Sequence, residues 1–270
     1  MPSRNFFVTA DDFGITKRIS DGMMHLAQKG VIHRLSLLTN MPGTSHALNL
    51  AKENLSVPIG LHFNLTEGRP ISDACKSLLS PSGHFISRGQ LLPRLMTHSI
   101  SRDEIRGELM AQFEVIRKAG IQVAYLDSHQ HIHVLPLINK VFQEFAIQHS
   151  LTIRNPLPMG IRSSWNLSHV LLNLLLALNP IPGTLLANQT LASVFDLGKA
   201  AIEVKDYYSI KTQFPAEGIH ELMVHPYVKD DEGLLEVYEQ EGFKKKSGFL
   251  KIAYQEHEIL NTIEALQLLG

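Results

Sequence analysis

The chain has 270 residues, 44% of them hydrophobic, and a formal net charge of -1. This length suffices for one large hydrophobic core, and a chain without a strong positive charge gives no reason to expect a nucleic acid or an anionic membrane as its partner. The single cysteine, Cys75, excludes an intramolecular disulfide and a cluster of zinc-binding thiolates, so we expect imidazole and carboxylate groups to hold any metal.

Neither export nor membrane insertion is predicted by the sequence. The first residues lack the apolar run of a signal peptide, so we expect a cytoplasmic protein. The most lipophilic stretch, 170–186, is interrupted by asparagine and proline, and its apolar part is shorter than the roughly 20 residues that a spanning helix needs. We therefore expect a buried or interface helix there and no membrane span.

Apolar, β-branched segments that end in polar residues alternate with segments of helical period, which is typical of β-α units around a parallel sheet. The predicted strands are 5–14, 34–40, 57–68, 121–133, 151–156 and 221–228. The predicted helices are 15–29, 44–55, 101–120, 135–150 and 256–269. Ser101 and Glu104 match the capping box that begins a helix. We therefore expect an α/β fold in one domain over residues 1–270.

Two long segments interrupt this alternation. Residues 68–100 are rich in turn-forming residues, and the pattern of residues 156–200 fits neither a helix nor a strand clearly. Loops of that length in compact domains are usually functional covers or insertions. We expect both segments to be loop insertions that shape a substrate cleft.

Polar side chains gather where the predicted strands end. In a parallel β/α fold, ligands bind at the carboxyl ends of the strands, because the loops there vary while the core stays fixed. The polar residues at these positions are Asp11, Asp12, Asn40, His62, Asn64, Asp127, His129, Arg154, Asn155 and His225. Their common location predicts a functional site at one rim of the sheet.

Each of these residues also has a purely structural explanation. An aspartate pair that opens a loop often caps a helix, and a single histidine such as His62 or His225 is more often a hydrogen-bonded core residue than a ligand. The alternation of His129, His131 and His133 is harder to explain in this way, because three imidazoles on one face of a strand end are costly to desolvate without a partner. One of the later two histidines could instead orient a metal ligand from outside.

For a single divalent ion we select Asp12, His62 and His129 as ligands. Three protein ligands leave open positions for water and substrate, as a catalytic metal site requires. The ion would polarise a carbonyl group and lower the pKa of its bound water. Asp11 is then the candidate to accept the proton of that water, and His225 is the candidate to protonate the leaving group.

We assign Arg154, Asn64 and His131 to substrate binding at the same rim. Arg154 supplies a fixed cation, either for a substrate oxygen or for holding Asp11 ionised. A surface salt bridge explains this arginine nearly as well.

The sequence resembles the YdjC-like carbohydrate deacetylases, whose characterised members remove acetyl groups from chitooligosaccharides. Five motifs carry the resemblance in order along the chain: TADDFG, GLHFNLTEG, LDSHQHIHVLP, LTIRNP and ELMVHPY. The resemblance implies a distorted (β/α) barrel with seven parallel strands, fewer than the eight of a TIM barrel, and a homodimer. Matched motif by motif, it also implies Asp12, His62 and His129 as metal ligands, Asp11 as general base and His225 as general acid.

The resemblance and the donor set differ on the metal. Relatives of this kind are described with magnesium, whereas two imidazoles and one carboxylate suit zinc or another transition ion. We expect one divalent ion, Mg²⁺ first and Zn²⁺ second.

Three functions follow from these residues. The leading hypothesis is a metal-dependent hydrolase that removes the acetyl group from a small 2-acetamido sugar. A phosphoester hydrolase is the second, and it would require more basic residues at the rim than Arg154 and Arg69. A non-catalytic metal-binding scaffold is the third, and it is disfavoured because a competent residue occupies each proposed catalytic position.

Overall fold

The computed structural model describes residues 5–159, 167–240 and 247–270. Within them, seven parallel strands form one sheet in the order β5-β4-β3-β2-β1-β7-β6. The strands are β1 (Phe6–Phe13), β2 (Arg34–Leu37), β3 (Ile59–Phe63), β4 (Val123–Ser128), β5 (Thr152–Ile153), β6 (Thr190–Ala192) and β7 (His220–Val224). The predicted α/β class with parallel strands is therefore confirmed.

The two outer strands of this sheet are joined by irregular contacts, which close it into a distorted barrel. Single parallel bridges link Ile153 to Leu186 and Pro158 to Leu191. β5 is only two residues long, so the chain that follows it completes the wall in place of a regular strand. The predicted barrel of seven strands is confirmed, with its irregularity at the seam between β5 and β6.

Helices connect the strands and cover the sheet. They are α1 (Lys17–Gln28), α2 (Thr44–Glu53), α3 (Arg88–Met96), α4 (Arg102–Lys118), α5 (Pro136–His149), α6 (Leu167–Leu178), α7 (Val204–Gln213), α8 (Glu232–Gln240), α9 (Ser247–Leu260) and α10 (Ile263–Leu269). The predicted closing helix 256–269 is thus two helices, because the Thr262 hydroxyl accepts a hydrogen bond from the Ala265 N–H and begins a new one. Among the described helices, none combines the length and the apolar character that crossing a membrane requires.

Burial explains why these segments adopt their structures. Every residue of β1 and β3 is buried, as expected for parallel strands of a barrel, which are covered by helices outside and by side chains inside. On α1, Ile19, Met23 and Leu26 recur at helical spacing and are fully buried against the sheet. The Thr16 hydroxyl caps this helix by accepting a hydrogen bond from the Ile19 N–H. The core therefore lies between the sheet and its layer of helices.

The predicted insertion 68–100 is fixed by the start of α4. The Ser101 hydroxyl accepts the Glu104 N–H, as a capping box requires. The Glu104 carboxylate, however, accepts the backbone N–H groups of Lys76 and Ser77. The second half of the predicted box is therefore wrong, because Glu104 accepts N–H groups of the insertion and not the N–H of Ser101 at the start of the helix. α3 lies within this insertion.

The predicted insertion 156–200 contains α6 and β6. β6 was not predicted, because three residues are too few to show an alternating pattern. Residues 160–166 of the insertion lie outside the described residues, and of residues 167–171 only the helical backbone is described.

Gly60 in β3 provides a test of the packing beneath the rim. A Cβ atom at this position would lie 2.3 Å from the ring of Tyr125 in β4. We expect Gly60→Ala to lower the free energy of unfolding by about 1–3 kcal/mol, because the ring must shift in a filled core. Urea unfolding measures the change. Gly183→Ala is the control, since its Cβ meets nothing within 4 Å; equal stabilities of the two variants would contradict the close contact.

Candidate active site

The carboxyl ends of β1, β3 and β4 lie near one another and carry the predicted site. His62 in β3 is in register with Asp127 in β4. Asp11 and Asp12 lie close to the end of β1. All four side chains are at most 2% exposed. The strand-end rule therefore located the polar centre of the fold correctly.

An irregularity in β1 lets both aspartates reach the site. Successive side chains of a regular strand point to opposite faces of the sheet. The pairing of β1 with β2 shifts between Ala10 and Phe13, and Asp12 has a φ of 66°. This left-handed conformation is uncommon for a residue with a side chain, and such strain is found most often at functional sites. It leaves Asp11 and Asp12 both directed to the rim.

Asp12, His62 and His129 form a group that could hold a metal ion, which we call the metal group. One ligand atom from each of the three residues lies within 4.8 Å of the others. Asp12 Oδ1 is 2.8 Å from His129 Nδ1 and 3.5 Å from His62 Nε2. A carboxylate and two imidazoles from three separate strand ends therefore converge as the sequence predicted.

Each member of this group is held from behind by another side chain. Asp127 Oδ1 lies 2.8 Å from His62 Nδ1, and Glu67 Oε2 lies 2.9 Å from His129 Nε2. When His62 Nδ1 and His129 Nε2 donate to these carboxylates, the opposite ring nitrogens, which point at Asp12, present lone pairs that a metal ion can accept. A carboxylate behind each imidazole is the usual outer arrangement of a histidine metal site.

The third member, Asp12, also has a fixed orientation. The Tyr227 hydroxyl donates a hydrogen bond of 2.6 Å to Asp12 Oδ2. The other oxygen, Oδ1, is the one that faces the two imidazoles. The donor set and its support therefore fit a divalent cation.

Charge favours this group over a second one that shares His62. Asp11 and Asp127 also lie near His62, but the guanidinium of Arg154 donates hydrogen bonds to Asp11 and forms an ion pair with Asp127. A cation placed there would be repelled by that guanidinium. Burial lowers the pKa of His62, yet the carboxylates around it raise it to about 10 overall, which shows how strongly this position favours positive charge.

Arg154 does not lie where a substrate-binding residue would. It is completely buried, and its guanidinium contacts three carboxylates, at 2.7 Å from Asp11, 2.8 Å from Asp127 and 2.7 Å from Glu221. Burial disfavours its charge, but these carboxylates raise its pKa well above the ordinary value. Of the two roles that the sequence left open, the structure favours holding Asp11.

Asn64 is likewise fully buried and acts within the loop that follows β3. Its side-chain oxygen accepts the Glu67 N–H, and its amide donates to the Glu67 carbonyl oxygen. Its backbone N–H and carbonyl are both bonded to the side chain of Gln112. Asn64 therefore orients the loop that carries Glu67, and we no longer expect it to contact substrate.

The three alternating histidines do not share one face, because β4 ends before them. The segment His129–Val134 is a 3₁₀ turn in which Gln130 and His131 have φ values of 55° and 54°. This kink sends His129 to the metal group and His131 to the cavity. His133 is buried and stacks on a phenylalanine, and its Nε2 donates to the Arg154 carbonyl oxygen. The prediction of a single histidine face was wrong because it extended the strand too far.

A cavity of about 1190 Å³ opens above this centre. Its lining includes side chains from both predicted insertions, among them Arg88 from the first and Phe195 from the second. The predicted site residues that line it are Asp11, His62, His129, His131 and His225. Residues that the sequence predicts as base, metal ligands and acid thus face one cavity.

His225 follows β7 and is held in the cavity wall. The rings of Phe195 and Phe249 meet its imidazole edge to face, with centroids at 5.6 and 5.1 Å. Its backbone N–H donates a hydrogen bond of 2.6 Å to Glu256 Oε2. Burial raises the pKa of Glu256 to about 8, although its hydrogen bonds from His225 and Tyr207 lower it.

The sequence analysis missed several residues that support the site. They are Glu67, Glu221, Tyr227 and Glu256. The first three lie inside the quoted motifs, where the strand-end rule gave no way to tell which polar residue supports another; for the same reason Asp127 was placed at the rim without a role. For Glu256 a signal existed, since it occupies an apolar stripe of α9 together with Ile252, Ala253 and Leu260.

The chain is similar in sequence to carbohydrate deacetylases. The profile described as YdjC-like protein matches residues 5–269. A carbohydrate deacetylase of Halalkalibacterium halodurans is 29% identical over 264 residues, which cover 95% of each chain. A carbohydrate deacetylase of Clostridium beijerinckii is 36% identical over 153 residues, or 57% of this chain and 60% of that relative.

A solved structure supports the fold. The crystal structure of an Enterococcus faecalis protein, described as a proposed cellobiose-phosphate cleavage protein, matches with a TM-score of 0.73 at 20% identity. The match covers 97% of this chain and 92% of that one. At this identity the likeness concerns the architecture alone.

The outer carboxylate of His129 can be tested by metal binding. We expect Glu67→Ala to weaken the affinity for Zn²⁺ by roughly 10- to 100-fold, because His129 loses the group that orients its ring and raises its basicity. Isothermal titration measures the affinity. Glu53→Ala, which alters an exposed residue at the end of α2, is the control. Equal affinities in the two variants would show that Glu67 does not support a metal ligand.

The raised pKa of Glu256 has a consequence for stability. Between its ordinary value of 4.5 and about 8, the unfolded chain releases this proton while the folded protein keeps it. The stabilisation is therefore complete below pH 4.5 and is lost as the pH rises through 8, by up to about 1.4 kcal/mol per pH unit.

We expect Glu256→Gln to remove this part of the pH dependence. Urea unfolding at pH 5 and pH 8 compares the variant with wild type, and Glu217→Gln at an exposed position serves as control. If wild type and Glu256→Gln lost the same stability between these pH values, a neutral buried carboxyl group would be contradicted.

Proposed function

The chain belongs to the YdjC-like protein family, and we propose that it is a metal-dependent hydrolase that removes the acetyl group from an acetylated amino sugar. One observation carries the proposal. Asp12, His62 and His129 converge below a cavity that Asp11 and His225 also line. The relatives named carbohydrate deacetylases support the substrate class.

We propose Asp12, His62 and His129 as the residues that hold the ion. A bound divalent ion would supply Lewis acidity toward the acetamide carbonyl and toward water. Two imidazoles and one carboxylate favour zinc, whereas the resemblance implies magnesium, so both remain predictions. Titration of the same protein with each ion decides between them.

Asp11 is the proposed general base. Arg154 donates to both of its oxygens, at 2.8 and 2.7 Å, and so holds the carboxylate in one plane. Each carboxylate oxygen has a further lone pair, so Asp11 can still accept the proton of an attacking water. It lines the cavity, where that water would lie.

His225 is the proposed general acid. An amine is a poor leaving group until its nitrogen is protonated, so amide cleavage requires a proton donor. The His225 imidazole lines the same cavity as Asp11 and is held between two aromatic rings. Hydrolysis of the acetamide by one water then yields acetate and a free amine, with Asp11 taking a proton from the water and His225 giving one to the leaving nitrogen.

His131 is the proposed contact to the sugar. It lines the cavity, and its buried Nδ1 has no hydrogen-bond partner among the described residues. Burial, followed by the charge of Arg154, lowers its pKa well below 6.5, so the ring is neutral and offers one donor and one acceptor. Such a group suits a sugar hydroxyl.

The expected homodimer also stays a prediction.

The assigned base is tested by Asp11→Asn. We expect acetate release from N,N′-diacetylchitobiose to fall by roughly 100- to 10,000-fold, because the amide side chain cannot accept the proton of water. Affinity for Zn²⁺ is expected to change little, since Asp11 is not one of the three ligands. Asp73→Asn, at an exposed position, is the control. Full activity in Asp11→Asn would remove Asp11 from the mechanism.

The other two hypotheses are separated by substrate. A phosphoester hydrolase would turn over bis(4-nitrophenyl) phosphate faster than acetylated sugars. A metal-binding scaffold would take up the ion and release no acetate from any of a panel of N-acetylated sugars. Either result would overturn the deacetylase proposal.

A further inference from the structure

The turn that follows β7 carries two groups that the proposed function uses. His225 presents its imidazole to the cavity, and two residues later the Tyr227 hydroxyl donates to Asp12. A shift of this turn at His225 would displace the proposed acid, whereas a shift at Tyr227 would displace the support of a metal ligand. Its position has to be fixed by something outside β7.

Helix α9 contacts this turn at three places along one face. The Phe249 ring meets the rings of His225 and Tyr227, with centroids at 5.1 and 5.8 Å. The Ala253 carbonyl oxygen accepts the Tyr227 N–H at 3.1 Å. Glu256 Oε2 accepts the His225 N–H at 2.6 Å. These helix positions are four and three residues apart and so lie on the same side of α9.

Glu256 is the costly member of this set. Its side chain is completely buried, and its second oxygen accepts the Tyr207 hydroxyl from α7 at 3.0 Å. Burying a carboxyl group in an apolar stripe costs free energy unless the group forms hydrogen bonds there. The two donors that it satisfies are a hydroxyl in the core and the N–H of His225.

We propose that Glu256 is a positioning residue, which fixes the backbone of His225 so that the imidazole reaches the leaving nitrogen of the substrate. The inference rests on the proposed role of His225 as general acid. Glu256 is not itself among the residues that line the cavity or form the metal group, and its hydrogen bond to the His225 N–H is its contact with the site. A displacement of about 1 Å in a catalytic group costs as much as 100-fold in rate.

Two substrates distinguish positioning from general structural support. Cleavage of the amide in N,N′-diacetylchitobiose requires a proton for the leaving nitrogen, whereas 4-nitrophenolate leaves 4-nitrophenyl acetate without one. A misplaced acid therefore slows amide cleavage and spares ester cleavage. Damage to the metal group or to Asp11 slows both reactions.

Glu256→Met and Glu256→Gln form a matched pair in the intact chain. Methionine fills the same space without an acceptor for the His225 N–H, whereas glutamine retains one. We expect Glu256→Met to lower kcat for the amide by roughly 10- to 100-fold, with ester turnover and Zn²⁺ affinity within about 3-fold of wild type. Glu256→Gln is expected to recover most of the amide turnover.

Glu108→Ala controls for the loss of a buried carboxyl group. Glu108 is also completely buried and accepts two backbone N–H groups, those of Ile71 and Ser72, but it belongs to α4. Its loss is expected to lower the unfolding temperature without changing the ratio of amide to ester turnover. A ratio in Glu256→Met no lower than in Glu108→Ala overturns the proposal.

Two further variants complete the test. If Glu256→Met does not fold, Glu256→Asp keeps the carboxyl group but shortens its reach, and a selective loss of amide turnover is again expected; an unchanged ratio there contradicts positioning. His225→Ala separates this inference from the proposed function. If His225→Ala shows no selective loss, the acid assignment itself fails, whereas a selective loss in His225→Ala alone rejects only the role of Glu256.

Discussion

The site depends on one buried cation. Arg154 follows the short edge strand β5 and contacts carboxylates that belong to β1, β4 and β7, namely Asp11, Asp127 and Glu221. Without a positive charge among them, three buried carboxylates from separate strands would repel one another, and removal of one partner from a buried ion cluster typically costs about 3–5 kcal/mol. The same guanidinium therefore joins the strand ends of the barrel and orients the proposed base. Fold and chemistry share this requirement.

Around that cation, the site is built at departures from regular structure. β1 shifts its register before Asp12, and β4 gives way to a 3₁₀ turn at His129, with Gln130 and His131 in left-handed conformations. Each such residue costs roughly 1–3 kcal/mol and persists only where the surrounding structure holds it. Here a hydrogen bond from the Tyr227 hydroxyl holds Asp12, and a hydrogen bond from the Gln130 amide to Glu67 holds the turn after β4. Regular strands would have pointed half of these side chains away from the cavity.

These departures also explain how far the sequence could be interpreted. Strand ends of a parallel sheet meet at one rim, so the sequence pattern could bring Asp12, His62 and His129 together, whereas the barrel was expected from the family resemblance. It could not show that β4 stops at Ser128, because a chain that alternates polar and apolar residues looks like a strand whether or not it kinks. Partners such as Glu67 depend on the direction of a loop, which neither periodicity nor spacing encodes.

The two sides of the cavity are supported by different parts of the chain. The metal group has behind it the carboxylates of Asp127 and Glu67, and the latter lies on a loop that Asn64 fixes. The proposed acid, His225, is supported by α9, whose Glu256 accepts the His225 N–H. The same carboxyl group accepts the Tyr207 hydroxyl in the core. The two supports meet at α9, because its Ala253 carbonyl also accepts the N–H of Tyr227, whose hydroxyl donates to Asp12. The two sides still differ in their surroundings: buried carboxylates concentrate negative charge behind the metal group, whereas two aromatic rings surround the imidazole of His225.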